Sequence, residues 1–221
     1  MANYEVPPAL LERRLPRGTK LDLEDGRCYV SLVGFMFLDT RVVGVPVPFH
    51  INFEEVNLRF YVTHHSGTEV RRGVVFVKEI VPRAAIAAVA RVLYEEPYKA
   101  CKMWNVRDGD RIEYGWVEDD RSNTIKIDRG RRIGVPESAS HAEFIIEHYW
   151  GYTRRRGDRT DEYKVEHPKW ELFDTSNVDI DVDFAGVYGP EFEFLNDAEP
   201  YSVLFAAGSE IAVYKGKQIR N

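Results

Sequence analysis

Cysteine is scarce in this 221-residue chain: Cys28 and Cys101 are the only two, with no CxxC motif and no disulfide framework. Two reduced, buried thiols are expected, because free cysteine behaves as a small hydrophobe. No apolar run is long enough to span a bilayer, so no membrane partner is expected. The opening residues, MANYEVPPALLERRLPRG, lack the basic-then-apolar pattern of an export signal, and a cytoplasmic protein is expected. Positive charge is not in excess either. The formal net charge is -6, which argues against nucleic acid as a partner.

Catalytic signatures are missing as well. The six histidines (His50, His64, His65, His141, His148 and His167) include no HExxH or similar spaced pair, so no metal is expected. There is no G-x-S-x-G, and no serine has a context that singles it out. Neither the phosphate-cradling G-x-x-x-x-G-K-[ST] nor G-x-G-x-x-G occurs, and no cofactor is expected. The basic runs Arg129–Arg132 and Arg154–Arg156 stand beside acids in predicted solvated turns.

Aromatic residues, by contrast, make up 13% of the chain and lie in short alternating segments, the mark of a β-rich protein. One domain over residues 1–221 is expected, with 1–18 as a proline-punctuated lead-in. Arg27–Leu38 is nearly all apolar and predicts a central strand. Residues 39–53 predict an irregular loop. Val56–Thr63 alternates, with Val56, Leu58, Phe60 and Val62 on one face and Asn57, Arg59, Tyr61 and Thr63 on the other. A turn from His64 to Arg72 leads to a return strand, Gly73–Ile80, with Val74, Phe76, Lys78 and Ile80 expected on one face. Pro82 opens a predicted helix with an apolar stripe at Ile86, Val89, Ala90, Leu93 and Tyr94, stopped by Pro97. Strands follow at Lys102–Val106, Asp110–Val117 and Asn123–Asp128, then a short helix with Ser140 and Glu143 as a capping box. Strands are also expected at Tyr149–Thr153, Tyr163–His167 and residues 176–182. Residues 183–195 suit helix or loop. Tyr201–Phe205 and Glu210–Tyr214 predict a final hairpin. The sum is a β-rich α+β fold, an antiparallel barrel with two or three short helices at its side.

Few residues stand out as chemistry. Arg59, inside an aromatic-rich strand, is costly to bury unless paired. With Asn57 and Tyr61 on its face it forms either the wet side of a sheet or a polar cavity aimed at a carboxylate. Lys78 follows a fully apolar strand, and Lys99 and Lys102 sit just past the predicted helix; each could serve as an imine-forming amine, with Glu79 as acid/base, and the simpler role is snorkelling to the surface.

Several ordered fragments resemble the YqjF-like family: Phe53–Val62, Arg72–Phe76, Pro97-Tyr98, Glu147-His148-Tyr149 with Tyr152, His167–Trp170 and Pro200–Phe205. That family is grouped by fold with acetoacetate decarboxylase. The resemblance implies a cone-like antiparallel β-barrel with flanking strands, helices and an internal pocket. Acetoacetate decarboxylase forms a Schiff base through the first lysine of a Pro-Lys-Lys after a short helix, and its neighbouring lysine lowers the nucleophile's pKa. Ala90–Ala100 resembles that region, so Tyr98 takes the nucleophile's place and Lys99 the neighbour's. A phenol cannot form an imine. The leading expectation is therefore a pocket for a small, partly apolar anionic ligand, contacted by Arg59 and lined by Asn57, Tyr61 and Tyr98. The alternatives are an imine-forming lyase using Lys99 or Lys78, and a non-catalytic protein whose barrel is filled. The sequence leaves a homo-oligomer open.

Overall fold

The computed structural model describes residues 1–42, 45–46, 52–84 and 97–219. The predicted helix after Pro82, with its stripe, falls mostly outside these residues, as does part of the expected 39–53 loop. The protein is mostly β-strand with a few short helices. Two sheets dominate, one of eleven strands and one of five; the pairings among the described residues do not join them into a closed ring.

At the centre of the large sheet run Cys28–Phe37, Phe53–Ser66 and Glu69–Val81, paired antiparallel in that order. Val56, Leu58, Phe60 and Val62 are fully buried, as the alternation predicts, and pack with Val30, Leu32, Trp116 and Ile125 in a core between the sheets. Gly34 permits close contact between the layers: an added Cβ would sit 2.8 Å from Tyr114 Cδ2 of the five-stranded sheet.

The hairpin is longer than expected. The strands continue to Ser66 and restart at Glu69, because Gly67 adopts a positive φ (63°) and turns the chain tightly. A register shift then pairs Leu58 with Lys78 but Arg59 with Phe76. The extra residue splits the face predicted for Val74, Phe76, Lys78 and Ile80. Ile80 joins the inter-sheet core, whereas Val74 and Phe76 pack on the opposite side with Tyr61 and Phe144.

Three further expectations change. The lead-in supplies a strand, Ala2–Val6, against Cys28–Phe37, with Ala2, Tyr4 and Val6 buried; its own alternation carries this signal. Arg129–Arg132 lies within the long strand Arg121–Gly134 rather than a turn, its arginines paired to Asp110, Asp174 and Glu171. Arg154 and Arg155 likewise end a strand, Trp150–Arg155. The predicted final hairpin does not form. Ser202–Val203 pairs with Ala2 and Asn3, Phe205–Ala206 with Leu172 and Phe173, and Ala212–Val213 with Val165 and Glu166, so each short piece covers a different strand edge. Residues 183–195 resolve into the helix Phe184–Tyr188 and the 3-10 turn Pro190–Asn196. Cys28 is buried and Cys101 half-buried, both free. Among the described residues no helix is long and apolar enough to cross a membrane.

Candidate functional site

Asn57, Arg59 and Tyr61 face away from the inter-sheet core, alternating with the buried residues that build it. Strand register extends this face sideways: Asn57 lies opposite Glu79, and Glu79 opposite Tyr98 of the parallel strand Tyr98–Ala100. Glu55, two residues before Asn57, completes a polar strip. Glu55, Asn57 and Glu79 are each no more than 2% exposed. Asn57 Nδ2 donates to Glu55 Oε1 at 2.9 Å, and the Tyr98 hydroxyl stands 3.5 Å from Glu55 Oε2. Asn57 Oδ1 is buried and accepts no hydrogen bond among the described residues.

Arg59 is the cation of this face. Its Nη2 lies 3.6 Å from Met1 Sδ, and its Cζ stands 5.8 Å from the centre of the Tyr61 ring. Arg59 Nε is buried without a partner, and no described carboxylate forms an ion pair with the guanidinium. Tyr61 is engaged elsewhere: its hydroxyl is 2.5 Å from Ser31 Oγ, and its ring packs 4.5 Å from that of His148. Arg59 Nε and Asn57 Oδ1 are thus an orphaned donor and an orphaned acceptor two residues apart on a strand, about 7 Å by strand geometry. Buried polar groups are rarely left unpaired, so each such atom calls for a partner.

The lysines lie on the other side of the sheet. Lys78 is two residues from the core residue Ile80, and Lys99 lies opposite Ile80 in register. Both reach the buried carboxylate of Glu118: Lys99 Nζ at 2.5 Å and Lys78 Nζ at 3.2 Å from Oε1. Lys78 Nζ also donates to the Val187 carbonyl. The hydrogen bond to Glu118 raises the Lys99 pKa above its ordinary value, outweighing partial burial. Burial pushes the Tyr188 hydroxyl far up and the Cys101 thiol up, with the Glu118 charge adding to both. Lys102 is exposed. Arg59, Tyr98 and Lys99 therefore do not share one cavity: Tyr98 turns to Glu55, Lys99 to Glu118, and Glu79 lies on the face away from both lysines. Glu55 and Glu118 were not singled out in the sequence. The alternation that selects Asn57 and Arg59 also carries Glu55, whereas nothing local marks Glu118.

The model of the DUF2071 family, described as an uncharacterized conserved protein, matches residues 1–210. The chain belongs to the DUF2071 family. The uncharacterized protein YqjF of Bacillus subtilis (strain 168) is 27% identical over 213 residues, covering 92% of this chain and 86% of that protein. Two solved structures share the fold of this DUF2071 chain. Acetoacetate decarboxylase of Legionella pneumophila matches with a TM-score of 0.63 at 12% identity, over 99% of this chain and 83% of that one. The enduracididine biosynthesis enzyme MppR, with HEPES bound, matches with a TM-score of 0.63 at 14% identity, over 99% and 84%. The resemblance drawn from the ordered fragments is thus correct for the family and for a mostly β fold like that of acetoacetate decarboxylase.

Proposed function

We propose that this DUF2071 protein binds a small, partly apolar carboxylate that also carries a hydrogen-bond donor, such as a hydroxy acid. The observation that carries this reading is the pair of orphaned buried atoms, Arg59 Nε and Asn57 Oδ1, on one strand face. The ligand's carboxylate pairs with the guanidinium, whose planar fork suits that anion. Its hydroxyl donates to Asn57. The Tyr61 ring and Phe76, beside Arg59 in the sheet, take its apolar part. Tyr98 borders the polar end. In this reading the two sheets are the walls of a cone-like antiparallel barrel, the site opens at its side, and the protein works in the cytoplasm. Turnover through a Schiff base is not part of the reading, because a phenol stands where the resemblance puts the nucleophile.

A thermal-shift series with lactate, 3-hydroxybutyrate and their deoxy counterparts tests it. A ligand at 100 times its Kd adds about 2.7 kcal/mol to the folded state. The hydroxy acids are expected to raise Tm more than propionate and butyrate, and Arg59→Ala is expected to abolish every shift while its circular dichroism stays native. A panel that leaves Tm unmoved, or shifts that survive Arg59→Ala, would refute the proposal.

A further inference from the structure

On the same face of the large sheet, where Ser31 lies opposite Arg59 in register, one hydrogen-bonded chain crosses from the core to the surface. Tyr61 OH meets Ser31 Oγ at 2.5 Å, and Ser31 Oγ donates to Asn3 Oδ1 at 2.6 Å. Asn3 Nδ2 donates to Ser202 Oγ at 2.8 Å. Ser202 Oγ lies 2.8 Å from His141 Nε2, and His141 Nδ1 lies 2.5 Å from Glu24 Oε2. Asn3 and Ser31 are fully buried, whereas Ser202 and His141 are partly exposed. We propose that Ser202, His141 and Glu24 form a nucleophilic centre that hydrolyses small uncharged carboxylic esters, with the Asn3 amide facing the carbonyl oxygen.

The geometry meets the demands of such a site. A serine is activated when a base stands within hydrogen-bond reach and a third group orients that base. Both links are present here and come from three separate parts of the chain. With Nδ1–H donating to Glu24, Nε2 is left as the acceptor for the Ser202 hydroxyl; this tautomer is inferred from the network. The His141 ring is fixed between Tyr29, 4.9 Å away, and Tyr201, 5.0 Å away. Ser31 holds Asn3 by its Oδ1, which points Nδ2 at Ser202; a side-chain amide is a known kind of oxyanion donor. Beside Glu24, and reaching Ser140 next to His141 in sequence, lies a depression of about 270 Å³ whose wall mixes Leu23 and Phe144 with Asp22, Arg72 and Glu143; Ser202 and His141 do not line it. Arg72 and Asp22 in its wall pair at 2.7 Å, and the further carboxylates Glu24 and Glu143 disfavour an anionic acyl group.

In the reaction Ser202 Oγ attacks the ester carbonyl carbon while His141 Nε2 takes the hydroxyl proton. The ester C–O bond breaks, and the departing alkoxide leaves as the alcohol with that proton. Water then attacks the acyl-serine, His141 takes its proton and returns it to Oγ, and the carboxylic acid departs.

The full chain treated with diisopropyl fluorophosphate and mapped by peptide mass spectrometry tests this, alongside p-nitrophenyl acetate hydrolysis. The expected result is a phosphoryl adduct on Ser202, with fluoride released. Ser202→Ala and His141→Gln should each lower the hydrolysis rate by about 100-fold or more, and Glu24→Gln by about 100-fold. If Ser202→Ala does not fold, labelling of the wild-type protein decides alone, since a serine that only fastens its strand is not phosphorylated. Folded wild-type protein without a Ser202 adduct, or Ser202→Ala hydrolysing at the wild-type rate, would overturn the proposal.

Discussion

A Schiff-base amine must shed its proton before it attacks a carbonyl, and Lys99 is held the other way. Its short hydrogen bond to Glu118 favours the ammonium form and raises its pKa. Borohydride reduction in the presence of acetoacetate is therefore expected to leave Lys99 unmodified near neutral pH; a reduced adduct on that residue, seen by mass spectrometry, would contradict this. Glu118 is 6% exposed and serves two ammonium groups, so Glu118→Gln strips both of their counter-charge. Breaking a fully buried pair costs about 3–5 kcal/mol. Both lysines reach solvent here, so about 2 kcal/mol is the expected loss by urea unfolding. Asn57 and Arg59 could be picked out beforehand because strand alternation is local and a buried arginine is conspicuous. The role of Glu118 could not, since its partners lie 40 and 19 residues away in sequence and meet it only across the fold. The Ser202–His141–Glu24 link was invisible for the same reason: Glu24 and His141 are 117 residues apart.

Strands were readable where one face is buried and one is not. Ile112, Tyr114 and Trp116 alternate on Arg111–Glu118, and Trp116 is fully buried. Gly115, between two of them, is the weak point of that strand and also its packing device. Trp104, its cross-strand partner, lays its ring over the bare backbone, so that an added Cβ would fall 2.1 Å from Trp104 Cε2. The ring must move if a methyl group is added. Gly115→Ala is expected to cost about 1–3 kcal/mol, as overpacking usually does, and to shift the tryptophan fluorescence. An unchanged Tm and emission maximum would count against that packing. The helix His141–Ile146 shows how far a motif carries. Ser140 Oγ accepts from the Glu143 amide as the capping box predicts, but the Glu143 carboxylate accepts from the Ala139 amide, one residue earlier than the motif's reciprocal bond. What failed was whatever depends on distant partners: the register shift at Leu58, which needs both strands, and the short C-terminal pieces, whose own sequences do not say which edge they will cover.

The molecule as a whole is mostly strand, with its largest core between two sheets, and the family resemblance gave the likeness in fold to acetoacetate decarboxylase more securely than strand counting could, because an ordered set of fragments constrains topology; the barrel that it implied is not closed by the pairings among the described residues. A residue within one of the resembling fragments, His148, governs how this assembly responds to acid. His148 is buried between Tyr61 and Phe144, with its Nε2 3.1 Å from Asp22 Oδ2. Burial pushes its pKa down to about 4; the bond to Asp22 resists this, and the Arg72 charge adds to it. The unfolded chain titrates this imidazole near its ordinary value of 6.5. Between those two values the unfolded state holds a proton that the folded state refuses, so stability rises with pH across the window and is lost as pH falls from about 6.5 towards 4. The limit is about 1.4 kcal/mol per pH unit, or about 3 kcal/mol in all from this one group. Asp22 acts in the same sense lower down: burial pushes its carboxyl up, but the hydrogen bonds from His148 and Arg72 outweigh that and hold it below its usual range. Its stabilising contribution is present above the unfolded carboxylate pKa and disappears as pH falls through the depressed one. Urea unfolding at about pH 7 and about pH 4.5 should therefore differ by about 2–3 kcal/mol, and in His148→Phe, which keeps a ring between Tyr61 and Phe144 but cannot take up a proton, most of that difference should vanish. Equal stability of the wild-type chain at the two pH values would mean that His148 is not held neutral by its burial.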